Sequence, residues 1–144
     1  MLETPMTDLD IAKTELYRNN LTLTIVKNGA VVYSTKSHRI SGFLEAIEKC
    51  GPDLQRASMA DLVVGKAVAL LCVYAGIREV FAGVLSRKAM AVLKQNNVGF
   101  SWNEVVDNVL DTNKSETCPF EKAAKEISDP QKAYPKFKAL LNNL

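Results

Sequence analysis

ADLVVGKAVALL, residues 60–71, sets a Gly-Lys pair inside an almost unbroken apolar run. What that pair does decides the fold. Three explanations compete: a phosphate loop, the motif-bearing helix of some other enzyme, or an ordinary amphipathic helix start. A phosphate loop requires G-x-x-x-x-G-K-[ST], because its glycine backbone wraps the phosphates and its hydroxyl binds magnesium. Here Ala60 stands where the earlier glycine belongs and Ala67 follows Lys66, so that explanation fails at both ends. No dinucleotide fingerprint is present either. The pattern predicts a helix opened by Ser58 or Asp61 and running to about Ala75, where Gly76 stops it. With Leu62, Val63, Val64, Val68, Leu70 and Leu71 around its circumference, such a helix is buried on nearly all sides.

Outward from this stretch, the period changes several times. Thr7 or Asp8 can cap a first helix reaching about Asn19. LTLTIVKNGAVVYS then alternates apolar and polar residues about Asn28-Gly29, a strong hairpin signal, which predicts antiparallel strands over about 21–27 and 30–34. Ser41 can cap a short helix ending at Gly51-Pro52. REVFAGVL lacks alternation and reads as a central strand, followed by a helix that Ser86 caps. VGFSW begins another strand, and WNEVVDNVL either continues it, restarts it or turns helical. DTNKSET reads as a loop, CPFEKAAKEI as a helix with Pro119 in its first turn, and residues 130–144 as an appended helix disturbed by Pro135. Hairpin, helix, strand, helix, strand and helix together predict one α/β domain with a mixed sheet.

Composition removes whole classes of function. The 144 residues are 47% hydrophobic, enough for one core, and 18 basic against 16 acidic residues leave a net charge of +2, too little for a generic polyanion binder. Lys136 and Lys138 beside Tyr134 and Phe137 could be read as a nucleic-acid surface, but near-neutral charge favours a solvated helix face. The apolar run is too short for a bilayer, and MLETPMTDLD is acidic where a secretory signal would be basic and then apolar. The expected location is therefore the cytoplasm, with Cys50, Cys72 and Cys118 as reduced thiols.

Asp61, Gly65-Lys66-Ala67, Ser86 and Cys118-Pro119-Phe120-Glu121, in this order of elements, give the chain a likeness to a known group. It resembles a small prokaryotic domain family of unknown function with the cytidine deaminase-like fold. That resemblance implies a three-layer α/β/α sandwich in which the Gly65 helix takes the place of the deaminase helix that carries the catalytic motif. Zinc deaminases place a His or Cys ligand beside a proton-shuttling Glu and add Pro-Cys-x-x-Cys, since three ligands and a water complete the tetrahedral metal. None of this set is here. His38, the single histidine, sits in a polar connector, there is no C-x-x-C, and Ser86-Arg87-Lys88-Ala89 stands where the cysteine pair would be. No metal and no other cofactor is expected.

The candidates that remain are Asp61, Gly65, Lys66 and Ser86 as ligand-binding residues, and Lys66, Cys118 and Glu121 as reactive ones. A helix N-terminus with a lysine in its first turn attracts anions; alternatively, Gly65 permits close packing and Lys66 snorkels to solvent. Cys118 at a helix start could be an activated thiolate, or a small residue packed under a Pro-started helix whose dipole Glu121 compensates. Asp61 and Ser86 have plain roles as caps. Three functions follow: a metal-free domain binding a small anionic or nucleotide-like ligand near Gly65-Lys66, a zinc-independent enzyme using Lys66 or Cys118 with Glu121 or Asp61 moving protons, and a protein interaction module without a working pocket. Homo-oligomerisation through a sheet edge is left open.

Overall fold

A computed structural model describes residues 6–37, 40–109 and 119–143 of the chain. Helix α1 (Asp8–Arg18) begins with a reciprocal capping box, the Asp10 amide donating to Thr7 Oγ1 and the Thr7 amide to Asp10 Oδ2, both at 3.1 Å. Strands β1 (Leu23–Lys27) and β2 (Ala30–Thr35) then form the hairpin. Its turn needs two left-handed residues, which Asn28 (φ 53°) and Gly29 (φ 79°) supply. Helix α2 (Ser41–Cys50) has Ser41 as its first residue, with Ile40 in the capping position.

The quoted stretch departs from its expected form. Residues Ser58–Val64 are a strand, β3, and helix α3 (Lys66–Ala75) starts only after Gly65. Asp61 is thus a strand residue and caps nothing at α3. β3 lies inside the sheet, antiparallel to β1 (Leu23 opposite Asp61) and parallel to its other neighbour (Val64 opposite Leu85). A strand covered on both faces is apolar without alternation, which is also how a buried helix reads, and only the β-branched Val63-Val64 before a glycine favours the strand. Gly65, extended at φ −100° and ψ −175°, is the pivot between them.

The remaining elements are β4 (Glu79–Ser86), α4 (Arg87–Gln95), β5 (Gly99–Val106), α5 (Pro119–Ala124) and α6 (Ala133–Asn142). The sequence WNEVV therefore continues β5 rather than turning helical. Pro135 falls within the first turn of α6, where a missing amide costs nothing, and the helix runs on past it. Strand order is β2-β1-β3-β4-β5, with β3, β4 and β5 parallel. Two successive crossovers of one hand put α3 and α4 side by side on the same face, and both helices start beyond the carboxyl ends of their strands.

Two apolar layers hold the sheet. On one side Ala12 and Leu16 of α1 meet Val26, Ala60 and Phe81, with Lys13 Nζ 4.5 Å from the Phe81 ring centre. On the other, Leu23, Ile25, Met59 and Val80 face Phe43, Leu44, Leu70 and Leu71 from the helices. The result is the mixed-sheet, three-layer α/β/α sandwich expected from the sequence. Phe120 and Phe137 meet edge to face at 6.0 Å and fasten α5 and α6 into this second layer. Tyr134 stacks on Tyr74 and Lys138 pairs with Glu48 at 2.5 Å, so this part of α6 is packed against its neighbours. Among the described residues, no helix is long and apolar enough to cross a membrane.

Candidate functional site

The start of α3 is built by a residue far away in sequence. Glycine at 65 offers no side chain to cap the helix, and the first amides of α3 instead donate to Glu121: Lys66 N to Oε2 at 3.1 Å and Ala67 N to Oε1 at 2.9 Å. Phe120, buried next door, anchors α5 so that Glu121 faces this point. Glu121 is itself only 8% exposed. A carboxylate is the natural partner for a helix N-terminus, because two orphan amides and the positive end of the helix dipole converge there.

Gly65 is required by the same contact. A Cβ at this position would overlap Glu121 Oε1 and lie 2.6 Å from its Cδ and 2.9 Å from Val109 Cγ2. The glycine that looks like part of a nucleotide motif is therefore the space through which a carboxylate reaches the backbone.

The electrostatics of Glu121 are a contest that burial wins. Desolvation pushes its carboxyl above the usual range, while the Ala67 and Lys66 amides and the charges of Lys88 and Lys66 draw it down. Lys88, in the first turn of α4, was not evident from sequence as a site residue. Its i+2 spacing from Ser86 offered a signal only once α3 and α4 were known to start side by side.

Ser86 caps α4 as expected, its Oγ accepting from Ala89 N at 3.0 Å, and it is buried. Asp61 lies on β3 away from the Glu121 contact; burial pushes its carboxyl up to about 7, although the Val63 amide donates to its Oδ1 at 3.1 Å. Its charge also raises the thiol of Cys72, a core residue already pushed well up by burial. Cys118 and His38 lie outside the described residues. The structure thus brings together Gly65, Lys66 and Glu121, adds Lys88, and separates Asp61 from them in role.

Among the described residues, the donor set at the two helix starts does not fit a deaminase zinc. The two helix starts present Gly65-Lys66-Ala67 and Ser86-Arg87-Lys88, and among the described residues no three His, Cys, Asp or Glu side chains are grouped to hold a metal. A lysine ammonium and a buried carboxylate already engaged by two amides supply no free ligand pair.

The sheet order and the paired helix starts make an α/β sandwich on a mixed five-stranded sheet. The chain belongs to the TM1506 family, a domain of unknown function (DUF1893), which it matches over residues 11–141. The crystal structure of a DUF1893 family protein from Thermotoga maritima superposes with a TM-score of 0.83 at 22% identity, covering 99% of this chain and 94% of that one, a likeness of fold. Other structural neighbours are RibD from Acinetobacter baumannii (TM-score 0.46, 18% identity, 66% of this chain and 32% of that one) and a Thermotoga maritima diaminohydroxyphosphoribosylaminopyrimidine deaminase/5-amino-6-(5-phosphoribosylamino)uracil reductase (0.45, 18%, 70% and 33%). No curated protein matches the chain.

Proposed function

We propose that this domain binds a small anionic or nucleotide-like ligand at the start of α3, and that Glu121 is the internal competitor for that seat. The observation that carries this reading is the pair of hydrogen bonds from Lys66 N and Ala67 N to the two Glu121 oxygens. The seat has the size, donors and field for a carboxylate, and the charges of Lys66 and Lys88 both bear on it. A ligand carboxylate or phosphate makes the same two hydrogen bonds when Glu121 swings aside, with Lys66 as its ion partner and Gly65 giving it room. Ser86, whose Oγ accepts from Ala89 N, caps the neighbouring helix start and acts from beside the seat, whereas Asp61 on β3 takes no part in it. In such an exchange the apparent affinity is reduced by the fraction of molecules in which Glu121 still occupies the seat.

The same geometry also favours a second reading, an interaction module whose seat is permanently filled, because Glu121 is buried and both its oxygens are used. A thermal-shift screen of nucleotides, phosphate and small carboxylates separates the two. A binding domain gains stability from one of these anions and loses the gain in Lys66→Ala. A wild-type protein that no anion stabilises would end the exchange reading and leave the filled-seat one.

A further inference from the structure

The opposite end of the sheet carries a concavity of about 440 Å³, between the ends of α3 and α4 and the loops that enter β3 and β4. Its charged lining consists of Arg56 and Arg78, with no carboxylate among its walls, and Asn96 and Asn97 add polar groups on the α4 side. The floor is apolar, from Val73, Ile77 and Val98. Neither arginine takes part in an ion pair among the described residues, whose three pairs are Lys49–Glu45, Arg87–Asp107 and Lys138–Glu48. Glu79, the nearest acid in sequence to Arg78, is occupied elsewhere, accepting from Ser58 Oγ at 2.8 Å.

The backbone holds both arginines in place. Arg56 N donates to Gly76 O at 2.7 Å, Arg78 N to Ala57 O at 2.8 Å, and Gly99 N to Arg78 O at 3.1 Å. Asn97 (φ 58°) closes α4 in a left-handed turn that asparagine tolerates, with Val98 N donating to Leu93 O. Arg56 at φ 65° is different, since an arginine is strained where a glycine would sit freely. The helix ends attract positive charge through their carbonyls. That attraction accounts for a basic residue near each helix end but leaves unexplained an arginine in a strained loop at the rim of an apolar-floored basin.

We propose that this basin is a second ligand site, for a phosphate monoester carrying an apolar or aromatic group. The two guanidiniums take the phosphate, for which their planar donor forks are suited, and Val73, Ile77 and Val98 take the ring. The volume falls in the range of small-molecule pockets. The site is independent of the α3 seat, with which it shares no lining residue.

The test is an amide NMR titration of the full chain with phenyl phosphate, with inorganic phosphate and phenol as partial probes. Phenyl phosphate should shift the Ile77, Arg78, Asn97 and Val98 amides saturably, and bind at least tenfold more tightly than phenol. The double variant Arg56→Gln/Arg78→Gln should bind it at least tenfold more weakly. Both side chains are exposed, so the variant keeps its fold, which an unchanged amide spectrum away from the basin verifies. Glu121→Ala should leave this titration unchanged, keeping it apart from any event at α3. No saturable shift at these amides, equal binding of phenol, or unchanged binding by the double variant would overturn the site.

Discussion

Asp8 and Glu121 do the same thing in two different places. Each carboxylate spreads its two oxygens over two consecutive backbone amides: Asp8 receives Asn28 N at 2.9 Å and Gly29 N at 2.8 Å, and Glu121 receives Lys66 N at 3.1 Å and Ala67 N at 2.9 Å. Asp8 ties α1 to the hairpin turn at the surface, where water can replace either partner. Glu121 ties α5 to α3 inside the protein, where water does not readily take its place. Identical chemistry thus acts as a removable fastening in one region and as an essential internal ligand in the other, and the cause is burial. The comparison also explains why a carboxyl with two amide donors is still pushed upward: at Glu121 desolvation exceeds what two hydrogen bonds and two lysines return.

Removing each carboxylate measures that difference. Glu121→Ala should lower stability by about 2–4 kcal/mol, because two interior amides lose their acceptor together. Denaturant titration checks it, and a loss below that of Asp8→Ala would break the comparison.

Asp61 sharpens it, as a half-buried carboxyl without a helix start to hold it. Its folded value of about 7 stands above the ordinary 3.8, so the native state holds the proton more tightly than the unfolded chain does. Stability from this group is accordingly full below the ordinary value and is lost as pH rises towards about 7. Asp61→Asn, which keeps an acceptor for Val63 N, should gain about 1–3 kcal/mol above that window and nothing below it. Melting curves across pH read this directly; a gain independent of pH would show that the carboxyl's charge is not the cause.

Asp8→Ala is the smallest of the three, about 0.5–1 kcal/mol, since its turn amides pass to water. Urea denaturation suffices, and a loss as large as that of Glu121→Ala would remove the distinction by burial.

The same division governs what could be read from the sequence. The hairpin was legible because Asn28-Gly29 specifies its turn within two residues, and Ser86 was legible as a cap because its bond to Ala89 spans three. β3 was not, since its buried first residues and its unbroken run of Leu62, Val63 and Val64, of which Val63 is exposed, give no alternation to mark a strand; it merged with α3 into one apparent helix. Gly65 and Lys66 stood out as a pair, but inside a helix expected to open at Ser58 or Asp61, and their partner lies more than fifty residues on. Glu121 was noticed as a charge for its own helix, while its true role belongs to another helix, and no periodicity links the two. Local chemistry is written locally, whereas the candidate site is made by packing Phe120 against Phe137.

The central claim is that the start of α3 is an anion seat filled by Glu121. The most direct measurement is the melting temperature of Glu121→Ala with and without added acetate, using chloride at equal ionic strength as the control. If the claim holds, acetate restores a substantial part of the lost stability in the variant and does little for the wild-type protein. If acetate and chloride act alike on the variant, the seat does not recognise a carboxylate and the account of the site is wrong.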